Sequence, residues 1–145
     1  MNVSGSQLAG DFKKGFSGNL EEDQLNKMVA SLEQATEAQL EAATSYPATG
    51  SIAPRKVQCS IKGGKTFNST SGGGPLAGDL IGFVYLAGAT SLDDLYSRTT
   101  QCYFTVTPVY AAIFFADAEG NLLAHFQAGA VSTGTGTGGG PGKWS

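Results

Sequence analysis

Between Thr99 and Trp144, two alternating apolar runs, a tight turn and a glycine-rich tail follow one another without a break, and this order reads as consecutive antiparallel strands. Cys102, Phe104 and Val106 fall on one face while Tyr103, Thr105 and Thr107 fall on the other, the period of two that a half-buried strand requires. Pro108 ends that run. Residues 110–117 and 122–131 are joined by Ala118-Glu119-Gly120-Asn121, with Gly where a positive φ is easiest, which predicts a hairpin. Glycine then alternates with threonine from Gly134 to Gly138, a final strand with one bare face that leaves room for bulky side chains across from it, and residues 139–145 close the molecule.

Upstream, Val57, Cys59 and Ile61 alternate with Gln58, Ser60 and Lys62, and Gly63-Gly64 supplies a two-residue turn into residues 65–70. Residues 71–75 form a flexible loop, and residues 77–87 a longer, more apolar strand in which Gly78 and Gly82 allow a bend or a close neighbour. Ser91, followed three residues later by Asp94, resembles a capping box opening a short helix in which Leu92, Leu95 and Tyr96 share a face. The amino-terminal part differs. Residues 1–18 have no sustained periodicity and read as a flexible segment. Residues 19–45 read as an amphipathic helix, with Asn19 as N-cap and Leu25, Met28, Val29, Leu32, Leu40 and Ala43 at helical spacing. Tyr46-Pro47 ends it, residues 48–54 form a turn-rich connector, and residues 50–145 make up the strand-rich domain. The helix's apolar stripe is expected to pack on that domain or on a copy of itself, forming a homo-oligomer; a docking helix for another protein is the alternative.

At 145 residues the chain can bury one sizeable core. Its net charge of −3 divides unevenly: residues 1–45 carry 7 acids and 3 bases, residues 46–145 carry 5 acids and 6 bases. Neither part has the clustered Lys/Arg stripe that nucleic acid attracts, so no nucleic-acid partner is expected. Nor is any run long and apolar enough for a transmembrane helix. No basic segment followed by an apolar one opens the sequence, so no signal peptide is expected and a cytoplasmic location stays open. Cys59 and Cys102 both fall on inward faces, where a disulfide and two buried free thiols are equally compatible with the pattern.

Several pieces resemble, in order, the Vap family, the virulence-associated proteins of Rhodococcus equi and related sequences. They are Leu76-Ala77-Gly78-Asp79, Ser91-Leu92-Asp93-Asp94-Leu95-Tyr96, Pro108-Val109-Tyr110, Phe114-Phe115-Ala116-Asp117, Asn121-Leu122-Leu123, Ala128-Gly129-Ala130-Val131 and the closing Gly138-Gly139-Gly140-Pro141-Gly142-Lys143-Trp144. The resemblance is best over residues 76–145. It implies a mainly β fold, a closed antiparallel barrel of about eight strands with one short helix, here preceded by the amphipathic helix. About seven strand candidates follow Arg55, so the family's first strand is either missing or supplied by residues 1–18. The resemblance further implies secretion, no catalytic machinery, and action in an infected host's phagocytic compartment with a host protein or membrane surface as partner. It carries over no site residue.

The residues themselves offer little chemistry. Gly134 to Gly139 satisfies G-x-G-x-x-G, but no helix follows to face a pyrophosphate, so no cofactor is expected. His125 is the sole histidine, which excludes a multi-histidine metal site within one chain; on the outer face of its strand it is expected to be a surface histidine, and the sharper reading is a pH sensor. Asp93 and Asp94 are adjacent on a helix and point apart, whereas Asp117 or Glu119 in the hairpin loop could join a divalent-ion site. Tyr85, Tyr103 and Phe115 are the candidate exposed aromatic contacts. These features favour a non-enzymatic barrel acting through its outer surface. The alternative is a barrel enclosing a small apolar ligand, lipocalin-like, or an allene oxide cyclase-like isomerase, and the filling of the interior separates the two.

Overall fold

The computed structural model describes residues 45–53, 55–70, 77–107, 110–129 and 136–145, with Asp23 and Asn26 besides. Those two residues are helical and exposed; the rest of segments 1–18 and 19–44 lies outside the described residues. Among the described residues, eight strands close into one barrel: β1 Ser45–Ala53, β2 Lys56–Ile61, β3 Thr66–Ser69, β4 Ala77–Leu86, β5 Gln101–Val106, β6 Tyr110–Ala116, β7 Leu122–Gly129 and β8 Gly136–Trp144. Around the barrel their order is β1-β2-β3-β8-β5-β6-β7-β4, and every neighbouring pair is antiparallel. A short helix, α1 (Leu92–Arg98), connects β4 to β5.

The strand that completes eight is β1. The sequence pattern predicts a helix end and a connector there, with that strand either missing or supplied by residues 1–18. Pro47 is tolerated because its carbonyl accepts from the Lys62 N–H at 2.9 Å, so its nitrogen points past the end of the β1–β2 ladder, which begins at Ala48↔Ile61. Pro141 is accommodated in the same way within β8. Its carbonyl accepts from Ser69 Oγ at 2.7 Å, just beyond the last β3–β8 pair, Ser69↔Gly142. The turn after β2 is also longer than expected: residues 62–65 connect β2 to β3, with Gly63 at φ +76°.

The interior is filled by the residues of one parity on each strand, among them Ile52, Val57, Cys59, Phe67, Leu80, Val84, Phe104, Phe115 and Phe126, all essentially without exposure. Glycines opposite the rings make this possible. A Cβ on Gly138 would stand 2.6 Å from the Phe104 ring, one on Gly142 2.5 Å from Phe67, and one on Gly50 2.9 Å from Phe126. The bare face expected of the last strand therefore exists, and it continues to Gly142. One end of the barrel is plugged by aromatic rings: Trp144 lies 5.0 Å from Phe115, 5.5 Å from Phe67 and 5.2 Å from Tyr96 of α1. Trp144 Nε1–H donates to Thr99 Oγ1 (3.2 Å), which in turn donates to the Leu95 carbonyl (2.6 Å), so the indole nitrogen is satisfied where it is buried.

Candidate functional surface

With the interior occupied, the outward residues decide what the molecule can touch. They form two unlike walls. On β1, β2, β3 and β8 the outward Pro47, Thr49, Lys56, Asn68 and Lys143 are exposed. On β5, β6 and β7 the outward Tyr103, Thr105, Tyr110, Ala112, Phe114, Ala116, His125 and Gln127 are all buried.

Cross-strand pairing aligns four of these side chains in one row. Tyr85 of β4 pairs with His125 of β7, His125 with Phe114 of β6, and Phe114 with Tyr103 of β5. The Tyr85 ring stacks on the His125 imidazole, with centroids 5.4 Å apart and planes at 25°, and Phe114 lies 6.5 Å beyond. Gln127 Nε2 donates to His125 Nδ1 at 3.0 Å. At the far end a Cβ on Gly139 would meet Tyr103 Cδ1 at 2.9 Å. The adjacent row runs Gln127–Ala112–Thr105.

β4 carries the exposed apolar ridge. Ile81 is 76% exposed and Phe83 45%, and the Phe83 ring lies 6.4 Å from that of the half-buried Tyr85. Ile81 and Phe83 were not legible beforehand, because Leu80 to Leu86 is apolar on both faces apart from Gly82, and such a run does not reveal which residues point outward.

The other residues singled out in the sequence fall as follows. Tyr85 and Tyr103 face outward as expected, but Tyr103 is 9% exposed. Phe115 points into the core against Phe67 and Trp144, and Phe114 holds the outward position instead. His125 faces outward yet is only 1% exposed, so it is not a surface histidine. Burial pushes its pKa down to about 4, which keeps the ring neutral through mild acid. Cys59 and Cys102 are free, buried thiols rather than a disulfide. Burial raises the pKa of both, that of Cys102 to about 11, and so removes the thiolate that reactivity needs.

The Asp94 and Asp117 carboxylates hold local structure. Ser91 Oγ accepts from the Asp94 N–H (3.1 Å) as N-cap of α1, and Asp94 Oδ2 accepts from the Thr90 N–H (3.0 Å). Arg98 then joins Asp94 (3.0 Å) to Asp117 (3.3 Å), a bridge from α1 to the β6–β7 turn that sequence spacing did not suggest. Burial alone would raise the pKa of Asp117. Hydrogen bonds from the Asn121 side chain, the Asn121 and Glu119 N–H groups and Arg98 outweigh that and hold it below the usual aspartate value. Among the described residues no three His, Cys, Asp or Glu side chains gather as a metal site would need. A shallow groove of about 380 Å³ opens on the outside of β1, β2 and β4, lined mainly by Thr49, Ser51, Gln58, Ser60 and Ile81.

A family model described as Rhodococcus equi virulence-associated protein matches residues 1–145. The chain belongs to that family. Two solved structures share the fold of this Vap-family chain. The virulence-associated protein VapB from the intracellular pathogen Rhodococcus equi is 29% identical, with a TM-score of 0.59, over 70% of this chain and 96% of that one. VapD from the same organism is 26% identical, with a TM-score of 0.56, over 70% of this chain and 97% of that one. No curated protein matches. Among the described residues of this Vap-family chain, no helix is long and apolar enough to cross a membrane.

Proposed function

We propose that this chain is a secreted, non-enzymatic β-barrel effector that meets a host protein or a host membrane, such as that of the phagosome, through its outer surface. The observation that carries the reading is the ridge of Ile81, Phe83 and Tyr85, two large apolar side chains and a phenol presented to solvent on a barrel whose inside is packed with phenyl rings. Exposed apolar clusters of this kind mark contact sites. The packed interior speaks against enclosure of a small apolar ligand, since rings occupy the space such a ligand would need. Membership in a virulence-associated family supports a host-directed role.

The test is the double variant I81S/F83S. Vesicle co-sedimentation and pull-down from phagocyte extract are expected to lose about tenfold or more in binding, because two apolar side chains no longer leave water. Far-ultraviolet circular dichroism should stay unchanged. Equal binding by both proteins would remove the ridge from the interaction, and saturable uptake of an apolar ligand by either would favour the enclosed-ligand reading.

A further inference from the structure

The β1–β4 ladder is interrupted at one place. Gly50 pairs with Leu80, but the next pair is Ile52 with Ala77, so β4 takes three steps (77 to 80) where β1 takes two (50 to 52), and Ser51 has no partner on β4. A bulge of this kind parts two strands locally and re-aims the side chains beside it. The groove of about 380 Å³ on the outside of β1, β2 and β4 lies at this interruption, since Gly50, Ser51, Leu80 and Ile81 all belong to its lining. We propose that the groove is a saccharide site, which holds a neutral mono- or disaccharide unit of an oligosaccharide between the side chains of Thr49, Ser51 and Gln58 and the exposed flank of Ile81.

Cross-strand pairing fixes which groups surround the hollow. Ser51 stands opposite Gln58, and Thr49 stands between Ser60 of β2 and Ile81 of β4. Ser60 Oγ shares a hydrogen bond with Thr66 Oγ1 at 3.0 Å and is satisfied. The side chains of Thr49, Ser51 and Gln58 have no hydrogen-bond partner among the described residues, although Ser51 and Gln58 are partly buried. A hydroxyl both donates and accepts, and a carboxamide carries an acceptor beside two donors, so these three side chains offer both roles without net charge. The hydroxyl groups of a sugar have the same dual character, and the C–H surface of its ring is apolar enough to lie on Ile81, which is 76% exposed. Among the described lining residues there is no Lys or Arg to hold a phosphate headgroup and no Asp or Glu to hold a cation. The hollow is also concave, unlike the ridge that a flat bilayer would meet, and its volume falls at the small end of the range of about 300–1,000 Å³ in which ligands are held. Only Ile81 belongs to both the groove and the ridge, so binding at the one is separable from binding at the other.

The test begins with the full chain on a glycan array that carries neutral oligosaccharides ending in glucose, galactose, mannose or N-acetylglucosamine beside sialylated and sulfated ones. Retention on neutral glycans is expected. S51A/Q58A should weaken it about tenfold or more, because two hydrogen bonds to the sugar are lost, with far-ultraviolet circular dichroism unchanged. Nuclear magnetic resonance of the isotopically labelled, unaltered chain with the best-retained neutral sugar provides a measurement that survives misfolding of the variant: saturable shifts at the Gln58 side-chain amide and at amides of β1, β2 and β4 around Ser51 support the site. Retention of no glycan or of charged glycans alone, shifts confined to another part of the barrel, or full binding by folded S51A/Q58A each overturns it. Phosphatidylcholine–phosphatidylserine vesicles separate this site from the ridge. S51A/Q58A should bind them as the unaltered chain does, and a loss of vesicle binding in that variant would give the groove to the bilayer and overturn the inference.

Discussion

His125 illustrates how one side chain can be placed correctly and still be misjudged. Its position in the alternation puts it on the outside of β7, which is where it lies, but alternation does not reveal that an outward residue is buried. The consequence is a titration with a definite sign. The imidazole is held neutral, with a pKa near 4 in the folded chain against about 6.5 when unfolded, and the described groups facing it are Tyr85, Phe114 and Gln127, none of them a carboxylate. Below about pH 6.5 the unfolded chain takes up a proton that the folded chain refuses. Stability is therefore fully present above that pH and falls as the pH drops toward 4, by up to about 3 kcal/mol. Denaturant titrations from pH 7.5 to 4.5 should reveal the slope in the unmodified chain and a shallower one in H125F, the difference being the histidine's share; parallel curves would show that the ring is not held neutral. Protonation of His125 in acid is thereby opposed by folding.

Among the elements, alternation alone located β2, β5 and the β6–β7 hairpin, and capping located α1, since in each of these the pattern follows directly from burial on one side or from a free N–H at a helix start. It failed where side chains are small or uniformly apolar. β1, Ser45–Ala53, buries only Ala48 and Ile52 fully and contains Pro47, so nothing in its composition resembles a strand until the missing N–H is seen to point past a ladder's end. β6 is buried along its whole length, which hid the exchange of Phe114 for Phe115. β8 is the opposite extreme, an element defined by the absence of side chains. Gly138 exists because Phe104 needs the space, so G138A should cost about 1–3 kcal/mol by overpacking. F104L in the same chain should recover part of that loss, giving a double-mutant coupling well above the error of urea denaturation. Additive effects would mean that the ring and the glycine are not in conflict.

The whole molecule is a ring of strands in which one late piece joins two early ones. β8 pairs with β3 on one side and β5 on the other, and its Trp144 seals the end beneath α1. Loss of that indole affects the entire ring rather than a corner. W144A should destabilise the barrel by about 3–5 kcal/mol, and unfolding followed by tyrosine fluorescence and by far-ultraviolet circular dichroism should still coincide, because no part of a closed sheet can open alone. Two separated transitions would contradict that cooperativity. The same topology sets a timetable for biosynthesis. β8 is translated after the seven other strands, so until it leaves the ribosome β3 and β5 face the cell with unsatisfied edges, and a nascent chain in that state is the form most exposed to mispairing with its neighbours.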